Sequence, residues 1–386
     1  MKNLPKNKVV LIGGNHHNGL NLARIFGEYG IRPYGIIIKD RQKCYTAKSR
    51  YWEKTWVVEN EDAALKVLLA EFPDEACKTV VIPWSDGAAA KIDQNLDLLK
   101  QRYVTQSIAG KTGAICKLMN KMEQVDFANK NELPVAKTWI YDFEQQLLPD
   151  DLCFPCILKP VTSFEGDKKD IRKCDDIDSI NECIKMLREK GYKSILIQEF
   201  LRIDYEFLIF GCCGFDEAYI IKKNLRIWEG TASYGQIINI PQINRMGLRI
   251  LQILEQIGYN GLFDIEMFMV KNKIYLNEIN WRNSGADFMC LGTGVLYPVI
   301  WYLSAVGWDS SSIPHFSSDE NQYQMDEATD LRHVFFGELT FKQWNKERKK
   351  TQSFSLSRKG DNRPKRIRYR KLIIEMIKRI VKKNTH

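Results

Sequence analysis

The residues best suited to chemistry lie in the run GLFDIEMFMVKNKIYLNEINWRNSG, residues 261–285. Residues 262–270 and 274–279 are mostly apolar, β-branched or aromatic, and residues 271–273 between them have the composition of a turn. This pattern predicts a β-hairpin that carries carboxylates along one face.

Pairing across this hairpin would bring like charges together. If the turn centres on Asn272, Val270 lies opposite Ile274. The opposed pairs on the polar face are then Glu266 with Glu278 and Asp264 with Asn280. Two carboxylates with Cβ atoms about 4.5–5.5 Å apart repel unless a cation lies between them. Magnesium held by carboxylates and an amide oxygen, with nucleotide phosphates completing its octahedron, fits this face. A solvated edge hairpin whose carboxylates point into water is the alternative.

The same run resembles the metal-binding hairpin of the ATP-grasp superfamily, whose second strand ends in Glu-x-Asn-x-Arg. Here that pattern is Glu278, Asn280 and Arg282. The resemblance implies that Glu266, Glu278 and Asn280 bind the Mg²⁺ of Mg-ATP and that Arg282 contacts the transferred phosphate or the substrate. Trp281 stands where many members have proline or threonine, so the metal set is kept while the substrate class is left open.

Two lysines and a loop extend the resemblance toward the ATP phosphates. Lys121 is similar in position to the superfamily's first ATP-binding lysine. Lys159 closes the apolar strand 154–160, where an ammonium is costly to bury without an anion, and it resembles the lysine that reaches adenine and the α-phosphate. The loop that follows, with Ser163 and Gly166, is similar to the flap that covers the phosphates.

The resemblance also implies an adenosine site. The run Gln198-Glu199-Phe200 ends the predicted strand 194–200 and resembles the hinge that binds the edge of adenine, partly through its backbone. Glu206 matches the carboxylate that accepts the ribose hydroxyls. Three further cations, Lys222, Lys223 and Arg226, are candidates for phosphate contact, and the sequence does not choose among them.

The N-terminal region has the pattern of a small parallel α/β domain ending near residue 111. Strands are predicted for 8–12, 34–38 and 80–83, and helices for 20–30, 61–71 and 88–99. The glycine-rich turn 13–19 has neither the dinucleotide nor the Walker A pattern, which leaves a plain turn or a small anion or substrate at the helix N-terminus. Ser85 and Asp86 follow a strand and are candidate substrate contacts, with a helix N-cap as the alternative.

The expected fold class is α/β and α+β: a Rossmann-like pre-ATP-grasp domain, a two-lobed ATP-grasp fold and a basic tail. The expected boundaries are 1–111, 112–305 with a lid at about 154–200, and 306–386. Residues 112–139 are predicted to be helical, and residues 296–304 are predicted to form a closing helix.

Composition and charge indicate a globular protein with a distinct tail. The chain of 386 residues is 44% hydrophobic and 27% charged, which favours two or three domains. No stretch approaches the ~18–20 apolar residues of a membrane span, and the N-terminus lacks a signal-peptide layout, so a cytoplasmic location is expected. The net charge of +9 is uneven, because residues 342–386 hold 17 basic and three acidic side chains.

The tail predicts a basic amphipathic helix over residues 365–383. Its predicted apolar stripe consists of Tyr369, Ile373, Met376, Ile377, Ile380 and Val381, and its opposite basic face consists of Lys371, Lys378, Arg379 and Lys382. Contact with the inner face of an anionic membrane, contact with nucleic acid, which is disfavoured, and docking on the protein's own body are the alternatives.

The expected function is that of an ATP-grasp carbon–nitrogen ligase that uses ATP and Mg²⁺. Similarity to the D-aspartate ligase and carboxylate-amine ligase group implies small-molecule carboxylate and amine substrates, such as amino acids or cell-envelope precursors. Arg282 and Lys159 are the expected catalytic residues, and Asn283, Ser284 and Gly285 are expected to border the substrate. The alternatives are carboxylase or carbamoyl-phosphate-type chemistry and a non-catalytic ATP-binding protein, and a homodimer is a candidate assembly.

Overall fold

The described part of the chain forms three β-sheets. The computed structural model describes residues 4–39, 44–73, 76–161 and 170–384, with side chains described as far as residue 378. The described residues contain a five-stranded, a four-stranded and an eight-stranded sheet.

The five-stranded N-terminal sheet is parallel throughout, in the order β3-β2-β1-β4-β5. Its strands are β1 (Val9–Gly14), β2 (Tyr34–Ile38), β3 (Thr55–Val58), β4 (Thr79–Pro83) and β5 (Tyr103–Thr105). The associated helices are α1 (His17–Tyr29), α2 (Glu61–Glu71), α3 (Asp86–Gln94) and α4 (Leu96–Leu99). Strands β1, β2 and β4 are largely buried, as central parallel strands are, which accounts for the continuous apolar runs that predicted them. Strands β3 and β5 were not predicted. The helix predicted over 88–99 is in fact two helices, α3 and α4.

The four-stranded sheet is antiparallel, in the order β7-β10-β8-β9. It consists of β7 (Thr138–Asp142), β8 (Cys156–Pro160), β9 (Arg172–Cys174) and β10 (Ser194–Glu199), and it is covered by α7 (Ile177–Glu189). Before it lie β6 (Ser107–Ile108), α5 (Ala114–Leu118) and α6 (Lys121–Lys130). The sheet therefore begins before the predicted lid boundary of 154.

The prediction of helix through residue 139 is wrong beyond Lys130. Glu132 has a positive φ of 53°, a conformation that ends a helix. Pro134 then has no N–H with which to continue one. Residues from Thr138 onward instead form β7.

The eight-stranded central sheet has the main order β15-β14-β11-β12-β13-β16-β17, and β6 pairs with β14. Its remaining strands are β11 (Tyr205–Cys213), β12 (Ala218–Trp228), β13 (Thr231–Ile237), β14 (Tyr259–Val270), β15 (Lys273–Asn280), β16 (Tyr323–Met325) and β17 (Ser353–Phe354). Helix α8 (Pro241–Gln256) packs against one face through apolar side chains such as Ile243 and Leu254. The polar side chains of the hairpin point away from that core.

The hairpin between β14 and β15 turns one residue earlier than predicted. Val270 pairs with Lys273, not with Ile274. Lys271 and Asn272 form the turn with positive φ values of 46° and 65°, as a two-residue type I′ turn requires. The predicted three-residue turn is therefore wrong.

A β-bulge restores the predicted pairing of the carboxylates. Met267 pairs with Leu276, but Glu266 pairs with Glu278, so Asn277 is the extra residue of β15. Beyond the bulge, the register matches the prediction. The turn and the bulge each shift the register by one residue, and the shifts compensate.

The segment predicted as a C-terminal extension is integrated into the fold. Strand β16 pairs with β13, and β17 pairs with β16. The helices of this half of the chain are α9 (Cys290–Thr293), α10 (Tyr297–Ala305), α11 (Glu327–Phe335), α12 (Phe341–Lys350) and α13 (Arg363–Asn384). Residues 306–386 thus supply two strands of the central sheet as well as the tail.

Helix α13 docks on the body through part of the predicted stripe, Met376 and Tyr369, together with Leu372, which the prediction left out. Leu372 and Met376 are 0% and 2% exposed and belong to a cluster with Leu20 and Leu356. Of the predicted stripe, Ile373 and Ile377 are 50% and 56% exposed. The side chains of Ile380, Val381, Arg379 and Lys382 lie outside the described range.

In the part of the chain that the structure describes, no single helix is long and apolar enough to cross a bilayer. The helical segments Asp287–Thr293 and Tyr297–Ala305 are long and apolar enough when taken together, but they are bent by 95° relative to each other.

A buried ion pair connects the C-terminal segment to helix α1. Arg24 Nε donates to Asp361 Oδ2 at 2.9 Å, and Arg24 Nη2 donates to the Leu356 carbonyl oxygen at 3.0 Å. The Arg24 side chain is fully buried. Arg24→Met should lower the free energy of unfolding by about 3–5 kcal/mol, because it leaves the Asp361 carboxylate buried without its charge partner.

Urea denaturation of the full chain tests this expectation. The matched control is Arg32→Met, because Arg32 pairs with Glu53 on the surface, and its loss should cost no more than about 1 kcal/mol. Equal effects of the two substitutions would contradict the stabilising role of the Arg24–Asp361 pair.

Candidate active site

A cavity suited to chemistry lies where the carboxyl ends of β1 and β4 face the central sheet. Its volume is about 330 Å³. Its walls come from the β1–α1 and β4–α3 loops, from β11, β12 and β14, from residues after β15, and from residues before α11. Ligands of open α/β sheets commonly bind beyond the carboxyl ends of the strands.

The central sheet presents two rows of polar side chains toward this region. In one row, Glu278, Glu266 and Lys222 lie on neighbouring strands with Leu208 between Glu266 and Lys222. In the next row, Asn280 pairs with Asp264. Glu266, Lys222 and Asp264 line the cavity itself. The four polar residues predicted to share one face of the hairpin are therefore opposed as expected.

Arg282 links the hairpin to the N-terminal domain. Its Nε donates to Asp86 Oδ1 at 3.0 Å, and its Nη2 donates to Asn280 Oδ1 at 3.1 Å. Its Nη1 lies 3.5 Å from Asp264 Oδ2. Burial opposes the charge of Arg282, but Asp86 and Asp264 outweigh burial and raise its pKa. The guanidinium therefore stays charged at the wall of the cavity.

Asp264 is a buried carboxylate with spare acceptor capacity. Burial raises its pKa, and the charge of Arg282 opposes that rise. Within the described residues, Asp264 Oδ1 has no hydrogen-bond partner. A buried acceptor of this kind is costly unless a donor or cation reaches it.

A narrow cleft between the four-stranded sheet and the hairpin holds Lys121, Lys159 and Gln198. Lys159 Nζ donates to Gln198 Oε1 at 2.9 Å. Burial and the neighbouring Lys121 lower the pKa of Lys159 to about 8, although Glu278 and Glu266 act in the opposite direction. The two predicted phosphate-contacting lysines are thus adjacent, and Lys159 lies close to Glu278 and Glu266.

Of the three undecided cations on β12, only Lys222 lines the cavity. Burial lowers its pKa to about 8 against the opposing effects of Asp264, Glu266 and Glu206. Lys223 instead lies over the ring of Tyr205, and Arg226 makes a bidentate ion pair with Asp330.

The predicted adenosine residues are only partly brought together. Gln198 faces the cleft, and Glu206 lines the main cavity. Glu199 and Phe200 line neither space, and the Phe200 N–H donates to the Pro155 carbonyl oxygen at 3.2 Å. The flap candidates Ser163 and Gly166 lie outside the described residues.

The predicted substrate contacts divide into two groups. Ser85, Asp86 and Gly285 line the cavity. Asn283 and Ser284 are fully buried behind it. The side-chain oxygen of Asn283 accepts a hydrogen bond from Tyr297, and its amide nitrogen donates to Asp287. Both ends of its amide are therefore engaged in hydrogen bonds behind the cavity. Ser85 occupies the N-cap position of α3 but makes no side-chain cap hydrogen bond.

Three titratable cavity residues were missed by the sequence analysis: His16, His17 and Asp326. His17 Nδ1 lies 3.9 Å from Asp326 Oδ2. Burial lowers the pKa of both histidines, with His17 adding to the effect on His16. The only sequence signal was the position of the histidines in a loop after the first strand; nothing local marked Asp326.

Similarity to known proteins is low in sequence and extensive in fold. No protein-family model matches the chain. Over 154 residues it is 24% identical to formate-dependent phosphoribosylglycinamide formyltransferase of Wolinella succinogenes, a match that covers 37% of this chain. The match spans only 38% of that relative's length.

Two solved structures superpose on most of the chain. N5-carboxyaminoimidazole synthetase from Staphylococcus aureus, complexed with ADP, has a TM-score of 0.66 at 15% identity and covers 90% of this chain and 88% of its own. L-amino acid ligase from Bacillus licheniformis has a TM-score of 0.60 at 15% identity and covers 80% of this chain and 76% of its own. The chain has the ATP-grasp fold. The predicted fold class is therefore confirmed.

The hairpin of this ATP-grasp fold offers suitable donors for Mg²⁺. Among the described residues, no three His, Cys, Asp or Glu side chains are grouped so as to hold a metal ion by themselves. Mg²⁺ commonly takes one or two carboxylates and completes its octahedron with phosphate and water oxygens. The paired Glu266 and Glu278, the Asn280 amide and the orphaned Asp264 oxygen fit that requirement. The assignment of Glu266, Glu278 and Asn280 as ligands stays a prediction.

The low pKa of Lys159 predicts an unusual dependence of stability on pH. The folded chain binds this proton less tightly than the unfolded chain does, so between about pH 8 and 10.5 the unfolded state carries more protons. The contribution of Lys159 to the free energy of unfolding therefore rises with pH in that window. Lys159→Met should stabilise the ligand-free protein at pH 7 by up to about 3 kcal/mol, and this gain should shrink as the pH rises toward 10.

Urea unfolding at pH 7, 8, 9 and 10 provides the measurement. Lys111→Met is the control, because Lys111 is exposed and its substitution should give a small difference that does not change with pH. A Lys159→Met protein that is less stable than wild type by the same amount at every pH would refute the expectation.

Proposed function

We propose that this chain is an ATP-dependent ligase that joins a carboxylate to an amine through an acyl phosphate and releases ADP and phosphate. The observation that carries the proposal is one cavity in which the carboxylate Glu266, the buried Lys222 and the largely buried Arg282 meet at the carboxyl edge of the N-terminal sheet. The ATP-grasp fold, shared with an L-amino acid ligase, supports it.

In this proposal ATP lies between the four-stranded sheet and the central sheet. Its phosphates take the place next to Lys121 and Lys159, where an anion would compensate the cost of burying the Lys159 ammonium beside a second positive charge. Glu206 accepts the ribose hydroxyls from the floor of the cavity. Gln198 orients Lys159 through the hydrogen bond between them.

The first step needs positioning and charge neutralisation more than a protein nucleophile. A substrate carboxylate near Arg282 attacks the γ-phosphorus, so that a new O–P bond forms and the bond to the ADP oxygen breaks. Lys222 and Arg282 supply fixed positive charge near the developing phosphate charge. Magnesium bound at Glu266, Glu278 and Asn280 would supply further neutralisation of the phosphate oxygens.

The second step forms the amide. The amine nitrogen attacks the acyl carbon, the C–N bond forms, and the C–O bond to phosphate breaks with its electron pair leaving on phosphate. Starting from an ammonium, the nitrogen loses two protons, one of which ends on the released phosphate and the other on a base.

Two alternatives make different predictions about the acceptor. The similarity to N5-carboxyaminoimidazole synthetase favours a carboxylase-type reaction as the second candidate. A ligase would release ADP only when a carboxylate and an amine are both supplied from a panel of each, whereas a bicarbonate-dependent enzyme would respond to bicarbonate without another carboxylate. A binding protein would bind Mg-ATP without acceptor-dependent turnover.

Glu278→Gln tests the hairpin assignment. It removes one charge from the opposed Glu266–Glu278 pair, so the ligand-free protein should melt no lower than wild type. Because the same change weakens the predicted metal site, Mg-ATP should raise the melting temperature less than it does in wild type. Acceptor-dependent ADP release should fall at least ~100-fold.

The control for this experiment is Glu189→Gln on the exposed side of α7. It should keep both the Mg-ATP thermal shift and the rate of ADP release. A Glu278→Gln protein with wild-type turnover and a wild-type Mg-ATP shift would remove the metal assignment.

We further propose that the outer face of α13 contacts anionic membrane. Leu372 and Met376 pack against the body of the protein, and the exposed Ile373, Ile374 and Ile377 face outward. Exposed basic residues, including Lys371, accompany them. Exposed apolar side chains among basic residues suit an anionic bilayer surface.

Co-sedimentation with vesicles at low salt tests this contact. Wild type should sediment with anionic vesicles more than with neutral ones, and Ile373→Ser/Ile377→Ser should reduce this binding several-fold without altering the docked face. If wild type and the double variant sediment equally poorly with anionic vesicles, the membrane proposal is wrong.

A further inference from the structure

A second cavity adjoins the candidate active site. Its volume is about 240 Å³. Both cavities are lined by His16, His17, Thr231 and Asp326, so these residues form their junction. The far wall of the second cavity includes Arg332 from α11 and Arg368 from α13.

The far end of this cavity carries two guanidinium groups, and the acidic Glu229 also lines the cavity. Arg332 Nη2 and Arg368 Nη1 lie 3.2 and 3.5 Å from the same oxygen of Glu375. The two guanidinium side chains are only 15% and 19% exposed. A guanidinium has five N–H donors, and the contact with Glu375 engages one donor of Arg368. Arg368 is therefore well placed to bind a carboxylate inside the cavity.

The junction has the opposite character, because two acceptors face each other there. His17 Nε2 lies 2.9 Å from the Gly285 carbonyl oxygen, which can only accept, so Nε2 carries the proton. Burial lowers the pKa of His17, which favours the neutral ring with an unprotonated Nδ1. That Nδ1 lies 3.9 Å from Asp326 Oδ2.

Asp326 is held as a carboxylate at this junction. Burial raises the pKa of Asp326, whereas hydrogen bonds donated by Ser355 Oγ and Thr329 Oγ1 to its carboxylate oxygens act in the opposite direction. A carboxylate oxygen and an imidazole lone pair at this separation can both accept from one ammonium group.

We propose that the second cavity binds the amine substrate as a zwitterionic amino acid, with its carboxylate at Arg368 and its ammonium at His17 and Asp326. This inference rests on the proposed ligase function. It places the nucleophilic nitrogen at the junction with the cavity in which the acyl phosphate forms. The nitrogen gives one proton to His17 Nδ1 and attacks the acyl carbon, and the second proton leaves with the phosphate as the C–O bond breaks.

The test uses the twenty proteinogenic amino acids, in both enantiomers where they exist, as probes of the full chain. Each is assayed by its effect on the melting temperature and by ADP release in the presence of Mg-ATP and a carboxylate panel. At least one amino acid should bind, while its analogues lacking either the amine or the carboxylate should bind at least tenfold more weakly. Arg368→Gln should weaken binding of that amino acid at least tenfold and raise its KM, with the Mg-ATP thermal shift unchanged.

Two further variants sharpen the result. Arg368→Lys keeps the positive charge and should recover part of the affinity lost in Arg368→Gln. Arg370→Gln is the matched control, because Arg370 is exposed on the same helix, and it should bind the amino acid as wild type does. The unchanged Mg-ATP thermal shift of Arg368→Gln shows that the variant is folded.

Several outcomes would overturn the inference. They are the absence of binding by every amino acid tested, equal binding by Arg368→Gln and wild type, and equal binding of the amino acid and its analogue without a carboxylate. Amino-acid binding that depends on Arg368 but is never accompanied by ADP release would reject the ligase proposal while leaving this binding site supported.

Discussion

The candidate site depends on the balance of buried charge around Arg282. This guanidinium contacts Asp86, Asp264 and Asn280. Asp86 begins a helix of the N-terminal domain, whereas Asp264 and Asn280 belong to the hairpin of the central sheet. An unpaired carboxylate at the position of Asp264 would cost several kcal/mol. The same ion pairs therefore connect the hairpin to the start of α3 at the wall of the cavity.

Two buried lysines lie near the carboxylates of the central sheet. Lys159 and Lys222 are both buried with lowered pKa values, even though acidic groups lie near each of them. The ligand-free protein thus holds ammonium groups whose burial is incompletely compensated. An anionic ligand that brings its own metal would compensate the lysines and the carboxylates together, which explains why both kinds of charge can be concentrated in one site.

The sequence predicted the main features of the fold wherever they depend on local pattern. The parallel strands of the N-terminal domain and the opposed Glu266–Glu278 pair are examples. That pair was obtained from a turn that is one residue too long, and the error was compensated by the bulge at Asn277, which alternation of apolar residues does not reveal. On α13, apolar side chains occur around much of the helix, so periodicity grouped the docked Met376 with the exposed Ile373 and Ile377 and left out the buried Leu372.

The part of the site that could not be predicted is built from opposite ends of the chain. His17 opens the first helix, while Asp326 precedes α11 and is positioned by a hydrogen bond from Ser355. Ser355 in turn follows β17, in the segment that Arg24 binds through its backbone carbonyl oxygens. No local spacing connects these residues, because their contact exists only once the C-terminal segment has joined the central sheet. The segment that was predicted to be a C-terminal extension therefore forms part of the wall of the candidate site. It also places α13 against the second cavity. The hairpin supplies the opposed carboxylates Glu266 and Glu278, and the C-terminal segment supplies Asp326 and Arg368 to the adjoining cavity.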